Sequence, residues 1–267
     1  MKAQELREYL KSMDSGWVNW EKTVDTFKSG DAEAEIKGIA VGWMGYTWAL
    51  KRALELNCNV FVTHEPTYYN HWDNDEKIFR YESVRAKRQF IEENGLVILR
   101  CHDLWDGVRD IGIPDSWAKQ LGFDNPIAGE GYYRVYDVSG STARAVAERV
   151  AVHTQSLGQQ AVQLIGPADA PVSRVAIGTG AITPFTHLID TYGVDLAICS
   201  DDGFTYWRDG ALSIDMGIPV IVVNHAVSEI YGMQLLAEHL KRRFPDVPVH
   251  FIPQSCIFQL ISGSDAP

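Results

Sequence analysis

Cysteine is scarce and dispersed: Cys58, Cys101, Cys199 and Cys256 form no CxxC pair. Three of the four fall in or beside apolar runs, so they read as reduced core residues of a cytosolic protein. Positive charge is also in short supply. Twenty-four Lys and Arg stand against 35 Asp and Glu, a formal net charge of −11. That balance argues against a general nucleic-acid surface or an anionic-membrane surface, both of which need clustered basic side chains, although an isolated basic pocket is still allowed. No apolar run approaches the roughly 18 residues of a membrane span. The first residues, Met-Lys-Ala-Gln-Glu-Leu-Arg-Glu, make a charged amphipathic start without an apolar signal region. A soluble, cytoplasmic protein is expected. Internal repeats and low-complexity segments are lacking as well.

What is present is ordinary in bulk and unusual in aromatics. Of the 267 residues, 46% are apolar and 22% charged, both near globular averages, and the chain is long enough for one large domain or two lobes. Eight Trp and eleven Tyr exceed what a core alone requires, so they line a cleft or fill core and interface.

Short apolar runs alternate with segments of helical period. A helix is expected near residues 46–57, a strand at Cys58 to Thr63, a polar helix from Asp75 to Asn94, and a strand from Leu96 to Cys101, giving a β-α-β unit. A third helix is expected over Ser141 to Leu157, between Gly140 and Gly158. Short aliphatic strands follow at Ala161 to Ile165, Arg174 to Ile177, Val194 to Cys199 and Pro219 to Val223. From Ala226 an apolar pattern stepping by four and three marks a helix that ends before Pro245. Continuous rather than alternating apolar strands imply sheets covered on both faces, hence an α/β fold with two lobes and mixed or parallel sheets covered by helices. The Gly-, Pro- and Asn-rich stretch Phe123 to Gly131 is the natural boundary. The expected lobes are residues 1–125 with 224–267, carrying the metal-ligand motifs, and residues 126–223.

Three strand ends carry polar donors. Thr63-His64-Glu65-Pro66 follows the first strand, Arg100-Cys-His102-Asp103-Leu-Trp-Asp106 the second, and Asn224-His225-Ala-Val-Ser-Glu229 the run Pro219 to Val223. His225 and Glu229 stand four apart, so on a helix both project from one face. Taken singly, each has a structural reading: His64 as a hydrogen-bonded core residue, His225 as a helix cap or an ordinary partner of Glu229. Taken together, they point further. If the strands are parallel neighbours, His64, Glu65, Asp106, His225 and Glu229 meet at one carboxyl edge, where α/β proteins build their sites. Packed carboxylates need cations, and two imidazoles with three carboxylates suit one or two divalent ions.

At these residues the chain resembles the NIF-three-like dinuclear-metal-centre family, some of whose members bear the name GTP cyclohydrolase I type two. The order and spacing of the three motifs and the total length agree. The resemblance implies the NIF-three-like fold, metal ligation by His64, Asp106, His225 and Glu229, and a ring-like homo-oligomer, often a hexamer. It also implies a ligand position at residue 65, where the family's Thr-His-His-Pro becomes Thr-His-Glu-Pro. A carboxylate there adds negative charge and favours harder ions, so zinc, manganese, iron and magnesium all stay open. His102 matches the family's histidine beside the aspartate and is assigned to relaying protons or supporting the ligands rather than to binding the metal directly, with His102 or Glu65 assisting proton transfer.

A second departure lies at Cys199-Ser-Asp201-Asp-Gly-Phe-Thr-Tyr-Trp207, where the family's further histidine is replaced by Tyr206 or Trp207. Tyr68, Tyr69, His71 and Trp72 either stack a planar ligand or anchor their loop. Gly178-Thr-Gly180 lacks the remainder of any phosphate-loop fingerprint and reads as a tight turn. The expected function is metal-dependent hydrolysis of a small phosphorylated or nucleotide-like substrate. A non-catalytic metal-binding or partner-binding protein is the alternative.

Overall fold

A computed structural model describes residues 1–181 and 184–261 of the chain. The strands in chain order are β1 (Phe27–Ser29), β2 (Ile39–Gly42), β3 (Val60–Thr63), β4 (Val97–Arg100), β5 (Arg134–Thr142), β6 (Gln163–Ile165), β7 (Pro171–Ile177), β8 (Leu196–Ser200), β9 (Val220–Val223) and β10 (Val249–Phe251). The helices are α1 (Ala3–Lys11), α2 (Thr47–Glu55), α3 (Glu82–Glu93), α4 (Asp103–Gly107), α5 (Ile113–Gln120), α6 (Ala143–Thr154), α7 (Phe185–Tyr192), α8 (Ala211–Met216) and α9 (His225–Arg243). The fold is mixed α/β with two helix-covered sheets. Among the described residues no helix is long and apolar enough to cross a membrane.

The chain divides into two compact units, Met1–Gly112 with Gly232–Gln254, and Ile113–Tyr231 with the stretch from Ser255 onward. The sheet of the first unit has the order β1-β4-β3-β2-β10. Its β2, β3, β4 and β10 run parallel, and β1 lies antiparallel at the edge beside β4. Every residue of β2, β3 and β4 is buried, because Ile39, Val41, Val60, Phe61, Val62 and their neighbours face helices or loops on both sides. Each such side chain contributes about 1.5–3 kcal/mol on burial. The parallel register pairs Thr63 with Arg100, so β3 and β4 end together. The His64 and His102 segments therefore leave the sheet side by side.

The sheet of the second unit has the order β5-β7-β8-β9-β6, with β7, β8 and β9 parallel and antiparallel strands at both edges. Its core groups Trp117, Val150, Val175, Leu196, Ile221 and Val227 on one side, and Val135, Phe185, Leu188, Ala197 and Val220 on the other.

Three local expectations change. The expected helix Asp75 to Asn94 is broken at Tyr81, whose extended backbone (ψ 131°) separates a short tight helix at Glu76–Arg80 from α3. The expected start at Ser141 moves to Ala143, because β5 continues to Thr142. The Thr142 hydroxyl then accepts from the Ala145 amide at 3.2 Å and caps α6. Finally, β9, the strand leading to His225, pairs with β8 and β6 and is not a neighbour of β3 or β4. Short aliphatic runs are interchangeable as buried strands, so they do not disclose which sheet they join.

Candidate metal centre

In the first unit the residues after β3 and β4 form a compact donor cluster. Trp43, one residue beyond β2, offers its carbonyl to both the His64 amide (3.0 Å) and the Glu65 amide (2.8 Å), fixing the turn after β3. His64 is wholly buried. Its Nδ1–H donates to the Cys101 carbonyl at 3.2 Å, which leaves Nε2 as the lone-pair nitrogen, 3.6 Å from Asp106 Oδ1. The imidazoles of His64 and His102 stack, with ring centroids 4.4 Å apart and planes inclined by 18°. His102 Nδ1 lies 2.9 Å from Asp103 Oδ1 and 3.4 Å from Asp106 Oδ2, while its Nε2 faces Glu65 Oε1 at 3.9 Å.

The second histidine and Asp106 are positioned by Asp25, a residue with no local signature of function. The Asp25 carboxylate accepts from the amides of His102 (2.7 Å), Asp103 (3.1 Å) and Leu104 (2.8 Å), which are the otherwise unsatisfied donors opening α4. Burial pushes the Asp25 carboxyl up, against the pull of these amides. Asp103 is itself clamped by the Thr23 hydroxyl at 2.7 Å and by His102. Burial raises Asp103, but the bonds from His102 and Thr23 outweigh it and hold the carboxyl well below the usual carboxylate range. From the other side, Arg100 Nε donates to the His64 carbonyl at 2.8 Å and Nη1 to the carbonyl of His71.

The donor set fits a divalent ion. One ligand atom from each of His64, His102 and Asp106 lies within 4.8 Å of the others, in a buried or half-buried setting. Two imidazoles, at least one held in a defined tautomer by its second nitrogen, and one carboxylate are the usual company of a divalent transition metal. His102, assigned from sequence to proton transfer, thus also stands among the residues able to hold the ion.

In the second unit His225 and Glu229 occupy the first turns of α9, with Nε2 and Oε2 3.0 Å apart, and Glu229 is buried. Asp201 caps this helix start: Oδ1 accepts from the His225 amide at 2.8 Å and Oδ2 from Asn224 Nδ2 at 2.9 Å. Asp202 Oδ2 sits 3.1 Å from His225 Nδ1, and this bond holds the Asp202 carboxyl below its ordinary value. His225 is therefore oriented through both ring nitrogens. Gly180, at φ +58°, closes over the pair; a Cβ placed there would sit 2.6 Å from Glu229 Oε1 and 3.2 Å from His225 Nε2. The turn at 178–180 is thus fitted to these two side chains rather than to a phosphate.

The aromatic run after the first motif divides in two. Tyr68 is buried against Phe79, with centroids 5.2 Å apart, and anchors the loop. Tyr69, at φ +64°, is half exposed, and Trp72 stands edge-on to His71, whose ring is in turn 5.5 Å from that of His102. Tyr206 and Trp207 are 79% and 74% exposed, on an irregular helical turn at Tyr206–Gly210. All four cysteines are free thiols, three of them buried.

The fold and these motifs define a chain of the Duf34/NIF3 (NGG1p interacting factor 3) family, to which it belongs: the family model matches residues 9–256. Among individual proteins, it is 25% identical over 222 residues to a GTP cyclohydrolase 1 type 2 homolog of Clostridium acetobutylicum, covering 79% of each chain. Its fold matches that of a Bacillus cereus protein related to NIF3 (TM-score 0.79, 14% identity, 98% of this chain and 99% of that one). It likewise matches a Staphylococcus aureus hypothetical protein (TM-score 0.78, 17% identity, 98% and 99%) and reduced HcgD from Methanocaldococcus jannaschii (TM-score 0.71, 18% identity, 97% and 98%).

Proposed function

We propose that this protein is a divalent-metal-dependent hydrolase of a small phosphorylated or nucleotide-like substrate. The observation that carries the reading is the mutual approach of the His64, His102 and Asp106 donors at the paired ends of β3 and β4. The ligands proposed are His64, Glu65 and Asp106 in the first unit and His225 and Glu229 in the second. A bound divalent ion would supply a Lewis acid and lower the pKa of water at neutral pH. The chain's own residues do the rest. Cys101 and Asp103 fix the two imidazoles by their Nδ1 atoms, and His102 Nε2 faces the Glu65 carboxylate, so this pair can hold a proton and hand it to a leaving group.

The name of the Clostridium relative places a nucleotide among the first substrates to try. Glu65 in place of an imidazole favours manganese, magnesium or iron over zinc and leaves one or two ions open. A cytoplasmic homo-oligomer, in the extreme a hexamer, is part of the same proposal.

The competing reading, a protein that binds metal without turnover, rests on the same donors. Metal analysis of purified protein, followed by a screen of nucleotides and phosphoesters against wild type, His64→Ala and His225→Ala, separates the two. Turnover by metal-loaded wild type that both substitutions abolish supports the hydrolase. Metal retention by wild type with the same background rate in all three proteins supports the alternative, and no retained divalent ion after supplementation sinks both.

A further inference from the structure

Beside the donor cluster of the first unit lie two cations that no carboxylate among the described residues neutralises by contact. Lys28 is the middle residue of β1 and Arg100 the last of β4. The two strands are antiparallel neighbours, with Phe27 opposite Leu99 and the Arg100 amide bonded to the Thr26 carbonyl at 3.1 Å. Arg100 is 1% exposed. Two of its guanidinium nitrogens are used on the carbonyls of His64 and His71, and the third, Nη2, is buried without an acceptor among the described residues. The Lys28 ammonium, half-buried, makes no hydrogen bond or ion pair among the described residues.

Three carboxylates lie in the field of Lys28, and each is already committed. Asp73 accepts from the amides of Thr67 and Tyr68, Asp25 from three amides of α4, and Asp103 from Thr23, Val24 and His102. Their charge offsets that of Lys28 only through space, and a buried guanidinium nitrogen without an acceptor among the described residues is costly. Exposed His71, strapped by its carbonyl to Arg100 and edge-on to His102, links the pair to the metal-capable cluster.

We propose that Arg100, Lys28 and His71 form a subsite for a phosphoryl oxyanion, with Arg100 Nη2 at its floor and Lys28 and His71 at its solvent-facing mouth. The planar fork of an arginine suits tetrahedral oxyanions, and two cations match a phosphate dianion in charge. The assignment rests on the hydrolase reading only for the statement that this phosphate belongs to the substrate. The binding of the oxyanion itself does not.

The test uses inorganic phosphate and the full chain stripped of metal by chelator, at low ionic strength, followed by titration calorimetry. Wild type should bind phosphate with a dissociation constant in the millimolar range or tighter. Lys28→Gln, a half-buried change that should leave the melting temperature near wild type, should bind about tenfold more weakly, the effect of about one charge-assisted bond. Arg100→Lys should weaken binding as well. His64→Ala should lose metal yet retain phosphate affinity, which separates failure of this subsite from failure of the metal site. Absence of phosphate binding by wild type, or equal binding by wild type and Lys28→Gln, overturns the proposal.

Discussion

Replacing Lys87 by methionine should erase a specific pH dependence of stability. Lys87 is 1% exposed on α3, with its Nζ donating to the Thr67 carbonyl at 2.5 Å and lying 4.8 Å from the centroid of the Tyr69 ring. It thereby anchors the loop that follows His64 and Glu65. Burial pulls its pKa down from 10.5 to about 8, with Asp73 opposing only in part. The unfolded chain therefore holds this proton up to a higher pH than the folded chain does. Between those values the unfolded state binds more protons, so the stability of the folded protein rises with pH. At 1.36 kcal/mol per pH unit, the rise contributed by this one residue between pH 7 and pH 10 is roughly 2–3 kcal/mol.

Many other groups titrate in this range, so the informative quantity is the difference between wild type and Lys87→Met. Urea denaturation at half-unit steps from pH 7 to 10 should show wild type gaining roughly 2–3 kcal/mol relative to Lys87→Met. A difference that stays flat across the range would refute the reasoning, because it would mean that Lys87 keeps an ordinary pKa in the folded state and that its burial is relieved by water.

Asp25→Ala leaves three amides at the start of α4, that of Leu104 buried, without their acceptor and should lower stability by about 1–3 kcal/mol in denaturant melts, with a parallel fall in retained divalent metal. His64→Ala removes a wholly buried donor and should abolish metal retention by the first-unit cluster, measured by elemental analysis after supplementation. Gly180→Ala imposes a left-handed backbone on a residue with a Cβ and crowds Glu229. It should cost about 1 kcal/mol or more and shift the Glu229 side chain, as read by melting temperature and a crystal structure of the substituted protein.

Much of the fold is legible along the chain, since β3, β4, β8 and β9 are wholly buried, mostly apolar runs and α9 carries a clean three-and-four repeat. The donors are legible for a related reason: histidines and carboxylates directly after buried strands are conspicuous wherever the strands go. Partnership is not legible. Asp25 meets its three amides 77 to 79 positions away, and Arg100 reaches the carbonyl of His64 across 36. No local pattern encodes either contact. The turn at Gly180 is a plain turn as far as its neighbours in the chain can tell, and its fit to His225 and Glu229 emerges only once α9 is folded 48 residues downstream.

The sequence by itself determined the kinds of element and the chemistry at their ends, because hydrophobic period and donor type are properties of neighbouring residues. Only the tertiary structure decided which strands share a sheet and which side chains complete each cluster. Interchangeable aliphatic strands are sorted by long-range pairing and packing. That sorting sets His64 beside His102 at the ends of β3 and β4, assigns β9 to the other sheet, and places Lys28 and Arg100 on the neighbouring strands β1 and β4.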